Sequence, residues 1–210
     1  EALPTRSVRA LNYKEDVSPK CRVCGEHLET AMHIVGGCPG LAGQQYKVRH
    51  DNIAKRVHWH LCQKYGIPCA AKWYQHVPSS VCETADRNVT IWYEMRIETD
   101  RKVPNNHPDI VVILKKDKMW YIVDPTCPID ENVKKGEEKK ESKYIALATE
   151  IRRMHHVKTT IVPISIGALG TVPKKLKESF EILGIPDITS GIQVTALIGS
   201  ASILRGVLGL

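Results

Sequence analysis

A chain of 210 residues with 42% hydrophobic content can bury one sizeable core and carry a small appendage. Its 30 Lys and Arg against 23 acids leave a net charge of +7, which favours an anionic partner, nucleic acid ahead of a membrane surface. Seven cysteines, an odd number at uneven spacing, argue against a disulfide framework and for a reducing compartment.

Residues 1–18 have neither an initiating Met nor a signal-peptide pattern, and they read as a linker within a longer protein. Residues 19–40 contain CRVCGEHLETAMHIVGGC, a C-x2-C-x8-H-x4-C spacing through Cys21, Cys24, His33 and Cys38. Three thiols and an imidazole suit tetrahedral Zn²⁺, and four protein ligands leave no position for water, so this zinc is expected to be structural. Glu29 to His33 reads as a short helix delivering His33, with His27 as a competing ligand.

A helix is predicted over 44–65, with Val48, Ile53, Val57 and Leu61 as its apolar stripe and Gly66 just past its end. Along it, His58 and His60 read as helix-surface imidazoles, and Cys62, Cys69 and Cys82 as buried thiols, because their spacing matches no regular metal site. A loose stretch at 68–88 leads to a strand at 89–97. The apolar runs IVVIL (110–114) and MWYIV (119–123), separated by Lys115-Lys116-Asp117-Lys118, then predict an antiparallel hairpin. A loop at 128–136 precedes a helix at 137–154, a strand at 159–166, a glycine-punctuated turn at 167–172, and helices at 174–183 and 191–208. That last helix is the most apolar, but Gln193, Thr195, Ser200, Ser202 and Arg205 mark it as a packed core helix, so no membrane contact is expected. The order of elements in residues 41–210 predicts an α/β core with mixed strand pairing, since hairpins join the first strands and a helical crossover delivers the last.

The hairpin carries the chemistry. Symmetric closure of its turn sets Asp109 opposite Asp124, and directly opposed residues have Cβ atoms roughly 4.5–5.5 Å apart. Two carboxylates at that distance repel unless a cation or a shared proton lies between them, and the separation suits a hard divalent ion such as Mg²⁺ or Mn²⁺. Strands without polar alternation are covered on both faces, which puts these acids near the middle of a sheet. The third group needed to stabilise developing negative charge is absent two residues after Asp124, where Thr126 stands. The helix downstream supplies it: with Tyr144, Leu147, Ala148 and Ile151 facing the sheet, Lys140 lies within about 20° of that face's centre, Lys143 roughly 80° away and Lys139 roughly 120° away. Lys140 alone is expected to reach the acids, with Lys143 as the alternative if the helix starts in another phase.

This constellation, together with Arg49-His50-Asp51, Pro108-Asp109, Lys143-Tyr144 and Gly167-Ala168-Leu169-Gly170, resembles the carboxy-terminal region of site-specific non-LTR retrotransposon proteins. The resemblance implies a restriction-endonuclease-like PD-(D/E)xK core with a mixed β-sheet flanked by helices, preceded by the small zinc knuckle. It implies a nuclear protein that nicks target DNA to prime reverse transcription. Its partners would be target DNA, the element's RNA and an upstream reverse transcriptase domain of the same polypeptide. Asp109 and Asp124 would bind magnesium or manganese, Lys140 would be the catalytic lysine and Tyr144 an accessory residue. Arg49, His50 and Asp51 would grip nucleic acid. His107 stands where the family usually has Arg or Lys, which puts one phosphate contact in question. The alternative is a non-cleaving, zinc-containing nucleic-acid-binding module from a decayed or domesticated element.

Overall fold

The computed structural model describes residues 3–210. Five strands form one mixed sheet in the order β1-β2-β3-β4-β5: Val81–Glu83, Val89–Tyr93, Ile110–Leu114, Met119–Thr126 and Lys158–Ser165. The first four pair antiparallel, and β4 pairs with β5 in parallel. Five helices complete the fold: α1 (Arg6–Leu11), α2 (Lys47–Lys64), α3 (Val133–His155), α4 (Lys174–Leu183) and α5 (Thr189–Leu208).

The unbroken apolar runs of β3 and β4 follow from cover on both faces. Ile110, Val112 and Val123 face α2, α4 and α5, packing with Ile53, Val57, Leu61, Phe180 and Ile192. Val111, Ile113, Trp120 and Ile122 face α3, packing with Tyr144, Leu147, Ala148 and Ile151. Burying a side chain of this size stabilises by about 1.5–3 kcal/mol, so these two layers hold the sheet.

The register of β3 and β4 pairs Ile110 with Val123 and Leu114 with Met119. Asp124 shares the parity of Trp120 and Ile122, and Asp109 that of Val111 and Ile113, so both acids belong to the α3 side of the sheet. β4 continues past Asp124, pairing Asp124 with Pro163 and Thr126 with Ser165 of β5 alone. Asp124 therefore lies within a strand rather than at its exit.

Several boundaries differ from expectation. The strand predicted to reach 97 stops at Tyr93, because Glu94 turns to a φ of 47°. α3 begins at Val133, ahead of the predicted 137. On α2 the buried face is Arg49, Ile53, Ala54, Val57, His58, Leu61 and Cys62, while Val48 is exposed. His58 is thus interior rather than on the helix surface. β1 lies within the stretch expected to be loose. α5 is long and apolar enough to cross a membrane by length and composition alone. It is packed on one face only, through Ile192, Thr195, Ala196, Ser200 and Ile203, leaving Val194, Leu197 and Ile198 exposed.

The segment expected to be a linker includes α1, whose start is bound to the knuckle. Glu29, fully buried, accepts the Arg6 amide at 2.8 Å, the Arg22 amide at 2.8 Å and the Arg22 guanidinium, while its carbonyl accepts the Ser7 hydroxyl at 2.6 Å. Glu29 is therefore a hub rather than the first residue of a helix. Thr30 instead caps the turn that carries His33, accepting the His33 amide at 3.1 Å.

Candidate active site and metal centre

Cys21, Cys24, His33 and Cys38 converge, each offering one donor atom within 4.8 Å of the others. Cys21 Sγ and Cys38 Sγ are 3.9 Å apart, and Cys24 Sγ lies 3.4 Å from His33 Nε2. The tight turn after Cys24 passes through Gly25 at φ +72°, and the Gly25 amide donates to Cys21 O at 2.8 Å. His33 is delivered by a π-turn, His33–Gly37. Burial pulls the His33 pKa down, favouring the neutral imidazole that can ligate. Three thiols and one imidazole at these separations can hold a zinc-type ion, with no protein position left open.

The cluster is built into the fold. Ile34 and Leu41 pack against Ile203, with Leu204, Val207 and Leu208 alongside. Tyr46 Oη accepts the Cys38 amide at 2.9 Å and donates to Ile34 O at 2.9 Å.

Arg49 extends the same joint. Only 2% exposed, it donates through Nη1 to Val35 O at 2.6 Å and Ser200 Oγ at 2.8 Å, and through Nη2 to Cys127 O at 3.1 Å. Gly199 admits it, since a Cβ there would meet Arg49 Cγ at 2.5 Å. This corrects the expectation that Arg49 grips nucleic acid: its guanidinium is consumed inside, tying the cysteine cluster to α5 and to the loop after β4.

His50 turns instead to the acids. His50, Asp109 and Asp124 form a second group with donor atoms within 4.8 Å of one another. His50 Nε2 lies 3.1 Å from Pro125 O, an acceptor beyond the end of the β3–β4 pairing, and 3.2 Å from Asp109 Oδ2. Its Nδ1 lies 3.1 Å from Asp51 Oδ1, and Asp51 in turn takes Lys47 at 2.6 Å. Acceptors at both ring nitrogens favour the protonated form of the imidazole. Burial pulls its pKa down, but Asp109 and Asp51 outweigh that and leave it raised.

Asp124, 1% exposed, takes Lys140 on Oδ1 and Lys143 on Oδ2, the latter at 3.1 Å. Burial pushes its pKa up, but Lys140, Tyr144 and Lys143 prevail and hold the carboxyl below the usual carboxylate range. Lys140 does reach Asp124, as its helical phase predicts, but it is not alone. Lys143, one turn on, bends its long side chain past the Tyr144 ring, with Nζ 4.5 Å from the ring centroid. Tyr144 is fully buried and donates to His107 O at 3.4 Å, while His107 Nε2 lies 2.9 Å from Glu94 O.

Asp109 differs from Asp124. Burial raises its pKa, His50 opposes the rise, and the Asp124 charge adds to it. Its Oδ2 is inaccessible to solvent and accepts no hydrogen bond, because the facing His50 Nε2 is directed at Pro125 O. A buried carboxylate oxygen without a donor, beside a second carboxylate, fits a divalent cation. His50 was legible as part of this site only by helix phase, since it shares the inner face of α2 with Ile53 and Val57.

No protein-family model matches the chain, and no curated protein matches it.

Proposed function

We propose that this chain is a metal-dependent DNA endonuclease with a restriction-like core, the nicking part of a non-LTR retrotransposon protein. The observation that carries the reading is the opposed pair Asp109 and Asp124 with Lys140 on the Asp124 carboxylate. The mixed sheet with a helical crossover between β4 and β5, the resemblance of the motifs and the net charge of +7 support it.

Mg²⁺ or Mn²⁺ held by Asp109 and Asp124 would supply Lewis acidity at the scissile phosphate and activate its water. The chain's own residues do the rest. Lys140 is positioned to place a positive charge beside the phosphate as its charge develops. Lys143 neutralises the other oxygen of Asp124 and fixes that carboxylate. Asp51 orients His50, which is bonded to Pro125 O and borders Asp109 from the α2 side, and Tyr144 anchors the strand entry at His107. Zinc at Cys21, Cys24, His33 and Cys38 would bind the amino-terminal unit to α5 and keep α2 seated.

The test is nicking of supercoiled plasmid with Mg²⁺, Mn²⁺ or chelator. Metal-dependent conversion to the open circle, abolished by Asp109→Ala and by Asp124→Ala while both variants still retard DNA on a gel, is the expected result. Retained DNA binding with no cleavage in either metal would replace this reading with the non-cleaving module.

A further inference from the structure

A third cluster of donors lies in the core, away from both sites above. α2 supplies His58 and Cys62, one turn apart on its inner face, and β1 supplies Cys82. Each offers one donor atom within 4.8 Å of the other two. We propose that His58, Cys62 and Cys82 hold a second zinc-type ion, which staples the edge strand β1 to α2.

The three donors are near enough for one ion to gather them. Cys62 Sγ is 3.9 Å from Cys82 Sγ and His58 Nε2 is 3.6 Å from Cys82 Sγ, while Cys62 Sγ lies beside the ring, 3.6 Å from His58 Nδ1 and 3.9 Å from Nε2, so that a turn of the Cys62 side chain would bring its sulfur to the Nε2 side. Metal bonds of about 2.3 Å to sulfur and about 2.0 Å to nitrogen at tetrahedral angles give edges of about 3.8 Å between sulfurs and about 3.6 Å from nitrogen to sulfur. The amino-terminal cluster shows the same kind of edges, 3.9 and 3.4 Å.

An independent feature fixes the imidazole. His58 Nδ1 lies 2.8 Å from His76 Nε2, and both rings are buried, His58 at 1% and His76 at 7% exposure. With its Nδ1–H donated to His76 Nε2, His58 keeps a free lone pair on Nε2, the nitrogen that lies 3.6 Å from Cys82 Sγ. A second group taking the far N–H is the usual way a ligating histidine is oriented.

The staple has a structural purpose. β1 is three residues long, pairs with β2 alone and has both flanking side chains exposed. Between α2 and β1 the only regular element is a single turn, Trp73–Gln75. An ion bonded to Cys82 would anchor this edge to the helix that also carries His50. Three protein donors leave the fourth position to water.

The experiment compares metal content of the 210-residue chain, purified with reductant and without chelator, with that of the Cys62→Ser/Cys82→Ser variant. The expected result is one zinc fewer per chain in the variant, as measured by elemental analysis of folded material. Should that variant fail to fold, a Cys21→Ser/Cys24→Ser variant is loaded with Co²⁺. It should retain one ion with sulfur-to-cobalt charge-transfer absorption, which His58→Ala then weakens. Equal zinc content in parent and variant, or no charge-transfer band in the cobalt-loaded protein, overturns the proposal. So does a peptide map showing a Cys62–Cys82 disulfide in freshly purified protein.

Discussion

Lys143 Nζ lies 3.1 Å from Asp124 Oδ2, on the carboxylate whose other oxygen takes Lys140. One buried acid thus holds two lysines from successive turns of α3. The two are not equivalent: the Lys140 side chain is 18% exposed and that of Lys143 is 32% exposed. Lys143 also spends part of its reach on the Tyr144 ring.

Single-turnover nicking at saturating protein separates them. Lys140→Ala is expected to slow cleavage by on the order of 10²–10³, the loss typical of one positioned electrostatic donor. Lys143→Ala should lose about tenfold, through a less firmly held Asp124, and Lys139→Ala the least, with lower salt restoring its weaker phosphate binding. An inert Lys143→Ala beside an active Lys140→Ala would move the catalytic assignment to Lys143.

Arg49 gives the opposite kind of prediction. Its removal takes the guanidinium donor from Val35 O and Cys127 O inside the protein, while Ser200 Oγ keeps its bond to Ala168 O. Arg49→Ala is expected to destabilise by about 3 kcal/mol, since buried polar groups are left without partners. DNA affinity per folded molecule should stay within about twofold. Urea unfolding and a binding titration on the same preparation check both halves. A stable Arg49→Ala with weakened binding would return Arg49 to the nucleic-acid surface.

What the sequence discloses depends on range. The β3–β4 hairpin, its register and the opposition of Asp109 and Asp124 were readable because apolar runs and a four-residue turn determine them locally. The inner face of α3 followed from the period of Tyr144, Leu147, Ala148 and Ile151. Lys143 escaped because helical phase describes where a side chain starts and not how far four methylenes bend. The partners of His50 and Arg49 escaped for another reason. The two residues are neighbours on α2, yet one serves the acids and the other the cysteine cluster, and their partners lie far away in the chain. β1, at three residues, is too short to show a period, and Cys82 meets His58 and Cys62 only through tertiary packing.

The cysteine cluster should be coupled to α5. Because Ile203 packs with Ile34 and Leu41, and Arg22 Nη1 donates to Val207 O at 3.2 Å, loss of the cluster's metal should loosen more than residues 19–40. Hydrogen exchange of Cys24→Ser is expected to show faster exchange in α1, in the cluster and in the last turns of α5. Amides of β2 to β5 should stay protected. Protection lost uniformly through the sheet would mean that the core does not stand without the cluster.

The last prediction concerns pH. Asp130 binds the glycine-punctuated turn after β5, its Oδ2 accepting the Leu169 amide at 2.7 Å and its Oδ1 the Thr171 amide at 2.9 Å. A side chain at Gly167 would collide with the same carboxylate. Burial pushes the Asp130 pKa up, but the Thr171 hydroxyl and the two amides outweigh it and hold the carboxyl below its ordinary value. A depressed folded-state pKa adds stability that is present above the unfolded value, about 3.9, and is lost as pH falls through the folded one. Asp130→Asn keeps one acceptor oxygen and loses the charge, so it should be about 1 kcal/mol less stable at pH 7. As pH drops below about 4 the unfolded chain's Asp130 takes up a proton while the folded carboxylate still resists, so the parent's advantage shrinks progressively until the folded carboxyl is also protonated. The gap between the urea midpoints of parent and variant, measured side by side from pH 7 to pH 3, should therefore narrow toward the acid end. A difference that stays constant over that range would show that the turn is held by packing and not by the ionised carboxylate.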